Sequence, residues 1–207
     1  MKKRKDEACF VQLNACAAFA ADAADRLAEL LADGTEGALP CRPAALEEAA
    51  AQTDAAYARL LDGLLHAFVT PVAREDLARL GRDLAEVSRA AARAGQLLWA
   101  QGTVPVRGDA IALCRTVCAS VRALEKAVRA LPAFHRPQAA LAQIDAVRAL
   151  ARQSEKQCAR ALSLLLRDGS TARERAVWQA LFPALWGVVR ACERAAEDMA
   201  WVLIKNN

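Results

Sequence analysis

The chain of 207 residues carries 28 basic and 24 acidic side chains, a net charge of +4, which is too even a balance for a nucleic-acid binder relying on phosphate neutralisation. Hydrophobic residues make up 55% and aromatics only 5%, so the apolar content is chiefly Ala and Leu, which favour helix. Almost no segment alternates apolar with polar residues or gathers β-branched ones, which leaves little room for strand and points to an all-α fold.

In chain order, a basic tip, Lys2-Lys3-Arg4-Lys5, leads into a first helix expected over residues 6–33. Its Phe10, Leu13, Ala17, Ala20, Ala24, Leu27 and Leu31 recur at helical spacing. Gly34 stops it, a loop follows to Arg42, and Pro43 suits the first position of a second helix, which runs through Leu60, Leu61, Leu64, Leu65 and Phe68. Pro71 cannot donate a backbone hydrogen bond and biases Thr70 away from the helical region, so that helix should end near Val69. The third helix spans 74–100, with Glu75 and Asp76 at the positive end of its dipole. The Gly102 to Gly108 stretch is the expected midpoint. A fourth helix is expected over 109–131 and a fifth from Pro137 to Leu166. Thr171 and Glu174 form a capping box for the sixth, which Pro183 should kink.

Asn14, Asp22 and Asp25 break any signal-peptide core, and no window approaches the ~20 apolar residues of a membrane span, so the expected location is the cytoplasm. The seven cysteines should then be reduced; Cys114 and Cys118 share a helix face but read best as buried small hydrophobes. There is no Gly-rich phosphate loop and no metalloprotease motif, and His66 and His135 stand alone near helix ends. No catalytic residue, no cofactor and no enzymatic activity are expected.

The junction Phe68-Val69-Thr70-Pro71-Val72-Ala73-Arg74-Glu75-Asp76-Leu77 resembles the Phe-Ile-Thr-Pro-x-x-Arg-Glu-Asp-Ile signature of the PhoU-like phosphate transport regulators. Phe68, Thr70, Pro71, Arg74, Glu75 and Asp76 carry that resemblance. It implies a single domain of six long helices, arranged as two repeated three-helix bundles over 6–102 and 106–207. It implies a regulator or accessory of phosphate uptake that docks on a permease or signalling protein at the inner face of the membrane; the alternative readings are a metal-binding helical bundle and a helical interaction module unrelated to phosphate. Peripheral membrane contact and homo-oligomerisation stay open, and nucleic acid is not an expected partner.

Laying residue 54 on residue 155, a displacement of 101, also matches Arg59 with Arg160, Leu84 with Leu185 and Arg89 with Arg190, as an internal duplication would. PhoU-like proteins resemble one another in Glu/Asp-x-x-x-Asp motifs that bind metal clusters. Here the corresponding positions are Ala50 and Asp54, Ala85 and Arg89, Ala151 and Glu155, Trp186 and Arg190. One carboxylate and one guanidinium per half do not make a multinuclear site, so no metal is expected. The expectation is instead an ion pair in each half, Asp54 with Arg89 and Glu155 with Arg190. The acidic stripes Asp25, Glu29, Asp33 and Glu193, Glu197 are out of register and read as solvated faces.

Overall fold

The structure is a computed structural model that describes residues 2–33, 43–67, 69–100, 102, 104–167 and 169–206, with side chains from residue 8 onward. Among the described residues it is built from six α-helices and one short 3-10 turn, with no strand. The helices are α1 (Lys2–Asp33), α2 (Ala44–His66), α3 (Arg74–Ala100), α4 (Gly108–Ala130), α5 (Gln138–Leu165) and α6 (Ala172–Lys205). The all-α expectation holds, and α3 has the expected bounds. α2 stops at His66, three residues short of the expected end, because Ala67 already has an extended backbone ahead of the proline.

Every inward position expected of α1 is buried, Leu13 and Leu27 among them, as are Leu77, Leu84 and Leu98 of α3. Each such side chain, withdrawn from water, contributes roughly 1.5–3 kcal/mol before conformational entropy is charged against it. On α2 the pattern misleads at one place: Leu65 is 79% exposed, whereas Leu60 and Leu64 are buried. α6 begins on the full capping box, with Thr171 and Glu174 each accepting from the other's backbone N–H. Pro183 lies within α6 without ending it. Trp178 and Phe182 pack against each other at 5.4 Å between ring centres and anchor that helix in the core.

α1 lies against α2 and α3, and α4 against α5 and α6. The two sets are joined where α1 packs on α4 and α3 packs on α6. One continuous core therefore runs through both. α2 approaches α3 closely at Gly81, where an added Cβ would stand 2.6 Å from Leu60 and 2.9 Å from Tyr57. That approach sets the register in which the side chains of α2 and α3 meet.

Candidate functional site

The α2–α3 face holds the first expected pair. Arg89 donates from Nη1 to Asp54 Oδ1 at 2.5 Å, and from Nε to Glu86 Oε2 at 3.3 Å. Arg93 donates to the other Glu86 oxygen at 2.6 Å, so one carboxylate holds two guanidinium groups on its own helix. Burial by itself would raise the Glu86 carboxyl, but Arg93 and Arg89 together outweigh it and hold it below the ordinary range. The pair is not interior: the Arg89 and Asp54 side chains are 36% and 46% exposed. Its energy is therefore that of a screened surface bridge, about 1 kcal/mol, rather than of a buried one.

Beneath it lies a polar contact that sequence reasoning missed. Thr53 Oγ1 and Ser88 Oγ are 2.8 Å apart, and both residues are fully buried. Thr53 spends its single hydroxyl proton on the Ala49 carbonyl at 2.8 Å, so Ser88 is the donor between them. The displacement of 101 also lays Thr53 on Ser154, both wholly inside, and Ser154 likewise donates to a carbonyl one turn back, that of Ala151.

The second expected pair is not formed. Glu155 is exposed on α5 and has no ion-pair partner among the described residues, and Arg190 is exposed on α6. The Arg190 guanidinium lies over the Trp186 ring, 5.1 Å from its centre. The reason is chemical: the large indole four residues before Arg190 offers its π face on the same side of the helix, where α3 has only Ala85. Of the stripe on α1, Asp25 receives Arg122 at 2.9 Å and Glu29 receives Arg26 at 3.5 Å. No group of three or more Asp, Glu, His or Cys side chains that could hold a metal occurs among the described residues.

The junction residues do more than turn the chain. Phe68 lies outside the described residues. Thr70 and Pro71 are half-buried, and Val72 is buried behind them. Arg74 donates to the Ala67 carbonyl and so closes the turn from the α3 side. Glu75 is exposed, but Asp76 is buried and takes Lys205 Nζ on both oxygens at 2.9 Å, tying the start of α3 to the end of α6. Two turns further along the same seam, Asp83 of α3 meets Asp198 of α6. Burial first, then the hydrogen bond with Asp198, pushes the Asp83 carboxyl up to about 6 against the opposing pull of Arg82.

No protein-family model and no curated protein matches the chain. Solved structures do. A PhoU-like protein of Shewanella oneidensis MR-1 superposes with a TM-score of 0.82 at 13% identity, over 95% of this chain and 99% of that one. A second protein of that bacterium, described as PhoU-like and phosphate-regulatory, gives 0.78 at 11% identity with the same coverage. The six-helix fold is that of these PhoU-like proteins.

Proposed function

We propose that the chain is a non-catalytic regulator or accessory of inorganic phosphate uptake, acting in the cytoplasm by docking on a phosphate permease or a signalling protein at the membrane. The observation that carries this reading is the superposition on PhoU-like proteins over nearly the whole of both chains. The junction sequence from Thr70 to Asp76 supports it. No described helix is long and apolar enough to cross a membrane, so contact with the bilayer would be peripheral. We further read Arg89 and Asp54 as standing where relatives hold metal, and the two sets of three helices as a duplication. Deleting the reading frame and measuring phosphate uptake at limiting and excess phosphate tests the role; unchanged uptake in both, with no permease co-purifying, refutes it.

A further inference from the structure

Between α3 and α6 opens a cleft of about 460 Å³ whose walls include Glu86, Ala90 and Arg93 from one helix and Gly187, Arg190 and Arg194 from the other. The displacement of 101 that lays Arg89 on Arg190 also lays Arg93 on Arg194 and Glu86 on Gly187. The two sides of the cleft thus share an arginine ladder, and besides Ala85 against Trp186, whose ring Arg190 lies over, they differ in charge at Glu86 against Gly187. On α3, Glu86 accepts from both arginines, three and seven residues further on. On α6 the corresponding position has no side chain, and neither Arg190 nor Arg194 has a carboxylate partner among the described residues. The lining's three guanidinium groups and one carboxylate leave two net positive charges.

We infer that this cleft binds a doubly charged oxyanion of the phosphate class, which takes the place on α6 that the Glu86 carboxylate occupies on α3. Guanidinium forks match tetrahedral oxyanions in shape as well as charge. The missing side chain at Gly187 leaves room: a Cβ built there meets nothing within 4 Å. Small residues at Ala90 and Gly187 let an anion settle between the helices. Recognition stands on this asymmetry alone and holds whether or not the protein regulates uptake.

The test is titration calorimetry on the full chain at fixed chloride concentration, with inorganic phosphate and pyrophosphate as free anions and glycerol 3-phosphate as a phosphate carried on an organic group. One site per chain is expected for at least one of the three. Gly187→Glu would supply the internal carboxylate in the geometry Glu86 already uses, and should weaken binding by about tenfold or more, as should Arg194→Ala. Gly187→Ala, which changes the backbone in the same way without adding charge, should bind as the parent does. Circular dichroism and melting establish that each variant is folded. Absence of binding by all three probes, or undiminished binding by folded Gly187→Glu, overturns the inference.

Discussion

Replacing Asp83 by Asn should stabilise the protein at neutral pH and not in acid. Asp83 is 8% exposed and faces a second carboxyl, Asp198, with Arg82 offsetting part of the charge. Its folded pKa, about 6, lies above the ordinary 3.8. The group's contribution is therefore fully present below pH 3.8 and is lost as pH rises through about 6, where the folded state finally surrenders the proton. A rise of about two pH units is worth about 3 kcal/mol at 1.36 kcal/mol each, an upper bound because Arg82 and solvent screen the pair. Asn keeps the shape, can donate to Asp198 and can accept from Arg82, yet has no charge to desolvate. Asp83→Asn should gain roughly 1–3 kcal/mol at pH 7.5 and well under 1 kcal/mol at pH 4. For a chain of this length that is a rise in Tm on the order of 2–10 °C at the higher pH. Parent and variant are to be melted side by side at both pH values, by calorimetry or denaturant. An equal gain at the two pH values, or none at pH 7.5, would refute the shared-proton account of this seam.

Three other outcomes follow from the packing. Arg89→Ala should cost about 1 kcal/mol, since it leaves Asp54 without its bridge and Glu86 with one guanidinium instead of two, while Glu155→Ala should stay within ~0.5 kcal/mol; chemical denaturation of both variants checks the contrast. Gly81→Ala should destabilise by roughly 1–3 kcal/mol despite its better helix propensity, because the new methyl would meet the buried Leu60 side chain, and a neutral or raised Tm would contradict the close approach of α2 and α3. Lys205→Ala leaves the Asp76 carboxylate buried without its partner, a loss of about 2 kcal/mol that Asp76→Asn in the same chain should partly restore, readable in a double-mutant cycle.

The helices were legible because Ala- and Leu-rich segments with a 3.6-residue period leave no competing pattern, and because proline, glycine and the Thr171 box punctuate them. Leu65 shows where the period stops being informative: next to the buried Leu64, it falls on the solvent side of α2. The Asp54–Arg89 bridge could be placed by counting, since both ends lie mid-helix on neighbouring elements. The same count failed for Glu155 and Arg190 because it ignored Trp186, a competing partner only one turn away. Asp76 looked like a dipole residue and is in fact the acceptor for Lys205, 129 positions later; separations of that size leave no local trace. The Asp83–Asp198 contact was hidden for the same reason.

On the proposed duplication, the contact between α3 and α6, together with that between α1 and α4, brings each of these helices against its counterpart. Two identical polypeptides meeting in that way would be bound by strict symmetry, and any residue beside the axis would have to appear twice. Glu86 and Gly187, which the displacement of 101 lays on one another, would have to be the same residue in such a homodimer. A single polypeptide is free of that restriction, so α3 can hold Arg89 and Arg93 on a carboxylate while α6 leaves the matching position bare.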